Sequence, residues 1–462
     1  MPKPKLTVIE KSFLELNGRF FEHVYDSKTK ECRYVELTNG KYEYCYGVTD
    51  ETKGIRYIPP CKENSIVEEK IKLPKEPIEY GDLKSLVEQI NKFIYEWLDV
   101  SDEHREIAAY YIVLTWIYDR LDTIPYLRAL GDMATGKGRY INTIGKLCYK
   151  PIPIGASPTP AVIFRLIEAW RGSLIINEFN PQKSDESDII MQILNNGFER
   201  GLPIWRVNED TRKVEAFESF GPKIFGARKN NRDNAFESRC LTENMHETLR
   251  EDIPDKLPPQ FEEEQQELRC KLLDFRMKAL NKTMTEYYSR KLNCIANRRV
   301  KQTITPFIIL TEFDKDLMTV FNKIAEGQYQ KTLVTNVESP EGQYLQIFID
   351  LMNEPLPEIQ SKNIKDALLQ EGIERSTSTI TRCLKGIGFT PHKSKDGKRR
   401  VLNVEEKYFK KIVEKYIAID GQKTAMEIFQ KWTSTETTQN NQDDPQTKLR
   451  IAKPYKSTSE CD

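Results

Sequence analysis

Gly131, Asp132, Met133, Ala134, Thr135, Gly136 and Lys137 constrain this chain more than any other stretch, because glycines and a lysine at this spacing make a phosphate-binding loop that opens a helix. The glycines let successive N–H groups turn inward, and the lysine reaches the outer phosphates of a nucleotide. Such a loop needs a strand before it and a helix after it. Residues 126–130 read as a short buried strand, and Ile141, Ile144, Leu147 and Cys148 recur at helical spacing. A second apolar run, Leu174, Ile175 and Ile176, ends in Asn177 and Glu178, and reads as a central parallel strand delivering polar side chains to the nucleotide. The expected fold is therefore α/β, with a parallel-sheet P-loop core.

Two positions of this pattern are unusual, and both concern the metal. The residue after the lysine should carry a hydroxyl for Mg²⁺, and it is Gly138; the acid expected to hold the metal's water shell is Asn177. Mg²⁺ favours charged oxygen ligands, which neither residue supplies. Lys137 and Glu178, the residue placed to polarise an attacking water, are intact. Two readings stay open: a divergent ATPase in which another acid substitutes, or a nucleotide-binding protein with crippled turnover. Cofactor binding is assigned to Gly131, Ala134, Thr135, Gly136, Lys137 and Gly138, with Asn177 at a weakened Mg²⁺ site.

The 462 residues suffice for about three domains, and a net charge of zero confines nucleic-acid affinity to local patches. No run of eighteen apolar residues or signal pattern is present, so a soluble, cytoplasmic protein is expected, with no membrane association. The nine cysteines form no Cys-x-x-Cys pair and are expected to be free thiols. His23 with Cys32, Cys45 and Cys61 matches no common zinc spacing.

Residues 1–76 read as a small β-rich region. Its Asn39 and Gly40 mark a hairpin, and Tyr42, Tyr44 and Tyr46 alternate onto one face, as half-buried core or as a stacking surface for bases. Pro74 and Pro77 mark a linker. Residues 77–124 read as helical, 125–245 as the nucleotide core, and 246–335 as a charged helical segment. Within 340–418, a helix at 364–369, a turn at Gly372, a Ser376-capped helix to Leu384 and a basic hairpin followed by a strand give the order of a winged helix-turn-helix. Residues 361–416 carry 14 Lys/Arg against 7 Asp/Glu, as contact with DNA phosphates requires. Candidate DNA-binding residues are Thr377, Thr379 and Arg382 on the second helix, with Lys398, Arg399 and Arg400 on the wing; a protein-docking role for the same unit stays open. Residues 419–462 are polar and expected to be disordered.

Residues 80–245 resemble the AAA+-like P-loop ATPases of primase-helicase type found in plasmids, viruses and integrated mobile elements. The likeness lies in an ordered series: Pro125 to Arg128 before the loop, Ser157 to Arg165, Gly172 to Glu178, Ile193 to Gly197 with Arg206, Phe220 to Ile224, and Glu237 to Cys240. It covers roughly a third of the chain. The resemblance implies ATP rather than GTP, a homo-oligomeric ring, hexameric in this family, and nucleotide-driven work on DNA. By position it implies Glu178 as catalytic glutamate, Asn230 as a sensor at a strand end, and Arg239 as the arginine lent to a neighbour's γ-phosphate. Gly138 and Asn177 depart from the family's Ser/Thr and Asp. No paired-acid motif for polymerase metals occurs in the N-terminal region, so primase activity is not expected.

Overall fold

The computed structural model describes residues 6–60, 70–155, 159–178, 185–207, 211–231, 233–356, 358–393 and 400–440. The chain divides into two units, Met1–Gln328 and Tyr329–Asp462. No helix among the described residues is long and apolar enough to cross a membrane.

The first unit opens with seven strands: β1 Thr7–Glu10, β2 Phe13–Leu16, β3 Arg19–Asp26, β4 Glu31–Thr38, β5 Lys41–Cys45, β6 Val48–Asp50 and β7 Ile55–Ile58. They form a four-stranded antiparallel sheet, β2-β3-β4-β5, and a three-stranded sheet, β1-β7-β6. Asn39 and Gly40 both adopt positive φ (50° and 76°), the two left-handed residues that a tight hairpin needs. The three tyrosines do not make a buried face: Tyr42 on β5 is half-buried and donates to Asp274, whereas Tyr44 on β5 and Tyr46 just beyond it are exposed. Cys32 is disulfide-bonded, contrary to the expectation of free thiols, while Cys45, Cys148, Cys240, Cys270, Cys294 and Cys383 are free.

Helices α1 Leu83–Trp97 and α2 Asp102–Thr115 follow, each started by a side-chain cap: Asp82 accepts from Ser85 N–H, and Ser101 from His104 N–H. The core then alternates β8 Tyr126–Leu130, α3 Lys137–Thr143, β9 Ile152–Ile154, α4 Pro160–Trp170, β10 Leu174–Ile176, α5 Asp185–Asn196, β11 Ile204–Val207, β12 Val214–Phe217, β13 Lys223–Ala227, α6 Asn234–Glu237 and β14 Cys240–Asn244. Five of these strands form one parallel sheet in the order β14-β8-β13-β10-β9. β10 and β13 are buried at every position, as a sheet covered on both faces requires. β8 lies between β14 and β13, with later strands on both sides, so the crevice beyond its C-terminal end is the natural ligand position. The unit continues with α7 Pro259–Leu280 and α8 Arg298–Ile304, and α9 Leu317–Glu338 spans the division between units.

A buried ionic network ties these parts together. Glu22 on β3 is 1% exposed and receives Lys150 Nζ at 2.5 Å, Arg276 Nε at 2.7 Å and the Tyr149 hydroxyl at 2.9 Å. Arg276, on α7, also binds Asp119 after α2, Nη2 to Oδ2 at 2.7 Å. Burial pulls the Lys150 ammonium down to about 8, against the raising effect of Glu22.

The second unit holds α10 Pro340–Leu351, α11 Ser361–Gln370, α12 Thr377–Ile387, the antiparallel pair β15 Thr390–Lys393 and β16 Arg400–Asn403, then α13 Glu406–Tyr416 and α14 Ile419–Asn440. Its core is one apolar cluster that includes Phe348, Ile380, Leu384, Leu402 and Phe409. The segment after Ile419, expected to be disordered, forms α14 as far as Asn440 because Ala425, Phe429 and Trp432 join this core.

Replacing Glu22 by Gln removes the charge shared by Lys150 and Arg276, neither of which reaches water. The expected cost is about 3–5 kcal/mol in urea unfolding of the full chain. Lys315→Ala, at an exposed pair with Glu286, should cost about 1 kcal/mol or less. Equal costs would show that the network does not hold the unit together.

Candidate functional site

The loop between β8 and α3 has the backbone that its sequence requires. Ala134 and Gly136 take positive φ (64° and 85°), and Gly136 caps α3 in the left-handed region. Gly131 is pinned for a different reason: a Cβ there would lie 2.6 Å from the Met245 carbonyl oxygen and 2.7 Å from Thr135 Oγ1. Thr135 Oγ1 donates to the Asp132 carbonyl at 2.9 Å. Lys137 is 7% exposed, and its Nζ donates to the carbonyls of Gly131, at 2.9 Å, and of Asp132. Burial and then the charge of Arg228 lower its pKa, while Glu178 and Asp132 oppose them.

Asn177 and Glu178 follow β10 directly and reach the same place. The convergence is visible at Gly226 on β13, where a Cβ would lie 3.4 Å from Asn177 Oδ1, 3.7 Å from Glu178 N and 3.7 Å from Lys137 Cβ. Glu178 holds a positive φ of 58°, a conformation that costs a non-glycine residue energy and that collects at functional sites. Its carboxylate accepts from Arg228 Nη2 at 3.0 Å, with both side chains about half exposed. Arg228 follows the last residue of β13, and sequence reading passed over it in favour of Asn230; the available signal was that it is the first charged residue beyond a fully buried strand. Asn230 instead accepts from Arg128 Nη2 at 3.2 Å, within a cluster in which Arg128 is clamped by both oxygens of Glu237.

Gly138 has open space where a side chain would stand. The backbone turns and lysine of the loop suit a chain of phosphates. The oxygen set does not suit a tightly held Mg²⁺: Asn177 offers a neutral oxygen, Gly138 offers none, and no group of three His, Cys, Asp or Glu side chains able to hold a metal exists among the described residues.

Arg239 stands apart from this crevice. It precedes β14, whose first residue pairs with Tyr126 at the start of β8, so it lies at the end of the sheet opposite the loop. In the second unit, Thr377 and Arg382 are exposed on α12, whereas the Thr379 hydroxyl is engaged with Ser376 at 2.9 Å. Lys398 and Arg399 lie outside the described residues, and Arg400 opens β16.

No protein-family model matches the sequence, and comparison with curated proteins gives no match. Among solved structures, the chain is similar to the C-terminal region of NrS-1, with 13% identity over 83% of this chain and 96% of that one and a TM-score of 0.35. JCV helicase matches at 12% identity over 58% and 64% of the two chains, with a TM-score of 0.23. The RuvB Holliday junction branch migration motor of Thermotoga maritima matches at 12% identity over 68% and 96%, with a TM-score of 0.21. The α/β core rests on the chain's own strand order, register and loop geometry.

Gly131→Ala and Lys137→Ala should each abolish binding of labelled ATP, the first by forcing the loop off the Met245 carbonyl, the second by removing its ammonium. Gly138→Ala, whose new methyl enters open space, should bind as the parent does. Tight binding by the first two variants would rule out this loop as the phosphate site.

Proposed function

We propose that this chain is a DNA-associated P-loop ATPase of replicative-helicase type from a mobile genetic element, coupling ATP binding and attenuated hydrolysis in a homo-oligomeric, hexameric ring to work on DNA. The observation that carries this reading is the convergence of Lys137, Asn177 and Glu178 on Gly226, near the C-terminal end of β13 in a parallel sheet. ATP supplies the phosphoanhydride. Residues 131–138 cradle its phosphates through inward backbone N–H groups, and Lys137 exchanges loop carbonyls for phosphate oxygens. Glu178 orients the attacking water and takes up its proton, and Arg239 of an adjacent copy stabilises the charge that develops on the transferred group. Asn230, tied to Arg128, sets the position of the segment after β13.

Helices α11 and α12 followed by the β15–β16 ribbon support a winged helix-turn-helix in the second unit. In this reading Thr377, Thr379 and Arg382 face DNA from the second helix and Lys398, Arg399 and Arg400 contact phosphates from the wing. The division of the first unit at residues 76, 124 and 245 remains part of the same proposal.

The neutral oxygen at Asn177 and the missing hydroxyl at Gly138 favour a specific second reading: a non-hydrolysing DNA-binding regulator in which nucleotide only stabilises an oligomer. Steady-state ATP turnover with and without single-stranded DNA separates the two. Gly138→Thr with Asn177→Asp restores both ligand types, and is expected to raise turnover by one or more orders of magnitude, each factor of ten being about 1.4 kcal/mol. An unchanged rate would place the limit elsewhere than in the metal shell.

Neutralising Lys398, Arg399 and Arg400 together should weaken duplex binding to all sequences alike and reduce the salt slope by about two to three, near 0.9 per phosphate contact. ATP affinity should stay at the parent's value. An unaltered salt slope would assign the unit to protein docking.

A further inference from the structure

A cavity of about 300 Å³ lies in the first unit where β2, α4 and β12 meet. Arg171 and Phe220 in its lining come shortly before β10 and β13, so it sits at the starts of these strands, whereas the nucleotide loop follows the last residue of β8. Its volume is at the lower end of the range for small-molecule sites, about 300–1,000 Å³, and suits a small flat molecule. The walls are aromatic. Phe164 on α4 and Phe217 on β12 stand with ring centroids 4.8 Å apart, and Tyr118 and Phe220 stand 5.9 Å apart. Arg276, 0% exposed, and Asp119 form a floor whose charges are already paired with each other. Glu168, Arg171, Arg200 and Glu218 are exposed at the rim. Among the described residues, the side chains of Glu168 and Arg171 make no hydrogen bond or ion pair. Arg200 donates to the carbonyls of Leu121, at 2.9 Å, and Tyr118, at 3.3 Å, with its guanidinium 4.5 Å from the Phe220 centroid. Glu218 accepts from the backbone N–H groups of Ser219, at 3.2 Å, and Phe220, at 3.1 Å.

Three arginines and three carboxylates line the cavity, so it carries no net charge. A nucleic-acid strand binds chiefly through attraction to its phosphates, which a balanced lining does not provide. The same holds for a triphosphate. The lining does provide flat apolar faces for stacking, with donors from Arg171 and Arg200 and acceptors from Glu168 and Glu218 at the edge. A neutral heteroaromatic ring that carries both donors and acceptors on its own edge matches that set. We propose that this cavity is a separate ligand site for an uncharged nucleobase or nucleoside, free in solution. It does not depend on the ATPase reading, since neither residues 131–138 nor Asn177 and Glu178 line it. Phe13 belongs to the N-terminal sheet, and Ala216 and Phe217 to the β11–β12 ribbon, so an occupant touches both and holds them together.

The probe is 2-aminopurine riboside, whose fluorescence is quenched when its base stacks on an aromatic ring, titrated against the full chain. Ala216→Trp fills the cavity from an exposed position of β12, and Phe217→Leu removes one stacking ring while keeping apolar bulk. Thermal unfolding of each variant checks the fold. The parent is expected to quench the probe saturably and to unfold at a higher temperature with the probe bound. Ala216→Trp should abolish the quenching. Phe217→Leu should raise the Kd by about 5- to 100-fold, as for the loss of one base–aromatic stack. Excess ATP should leave the quenching in place. No quenching by the parent, or the parent's Kd in both variants, overturns the proposal. Displacement of the probe by ATP assigns it to the nucleotide loop and overturns the separate site. The last arm is a single-stranded oligonucleotide carrying one 2-aminopurine. If it is quenched in a way that Phe217→Leu abolishes, while the free riboside is not quenched, the cavity takes a base from a strand and the proposal of a free ligand fails.

Discussion

Four segments of the first unit meet on one carboxylate, Glu22, that is buried out of reach of solvent. Lys150, Arg276 and Tyr149 surround Glu22 in the interior, and they come from the connection after α3 and from α7. Removing any partner leaves charge stranded in a medium of low polarity, so the four contributing segments are obliged to stay together. Packing of apolar surface would tolerate small slips between a sheet and a helix, whereas a bidentate arginine on Asp119 and a lysine on Glu22 specify register.

That fixed platform matters because the nucleotide crevice is assembled from pieces that are individually weak. The Glu178–Arg228 pair is half exposed and contributes little energy. The loop is held by carbonyl contacts from its own lysine. Neither could define the spacing between β8 and β10; the sheet does, through β13, and the sheet is in turn tied to α2 by the Tyr111 hydroxyl, which reaches the carbonyls of Pro125 and Lys223. Weakness at the crevice and rigidity beneath it are suited to a site whose contacts must be exchanged for those of a ligand.

The parts legible in the sequence were those with local signatures. The loop glycines, the apolar run ending at Asn177 and Glu178, and the Asn39–Gly40 turn each declare a backbone conformation within a few residues. Gly197 and Lys223 show how an ordered motif can encode a contact whose form stays hidden: a Cβ on Gly197, just after α5, would sit 2.3 Å from Lys223 Nζ, so the glycine makes room for a buried lysine on β13. The network around Glu22 was invisible, since its members are scattered from β3 to α7 and nothing local marks a charged residue as buried. Arg228 was missed because it lies just beyond the predicted strand. Helix α14 was misread because polar threonines and glutamines mask the spacing of Ala425, Phe429 and Trp432, three apolar residues on one helical face.

Gly226 gives the crevice something that no side chain could: unfilled room. A methyl group there would touch Asn177, the Glu178 backbone and the Lys137 stem at ordinary contact distances, so the space its absence leaves is about one methyl in size and is shared by all three. Three segments that meet across a gap can shift by fractions of an ångström against one another without compressing the strand below. The glycine thus acts as slack in an otherwise tightly packed floor, letting the lysine and the glutamate-bearing turn adjust independently while the sheet beneath them stays still.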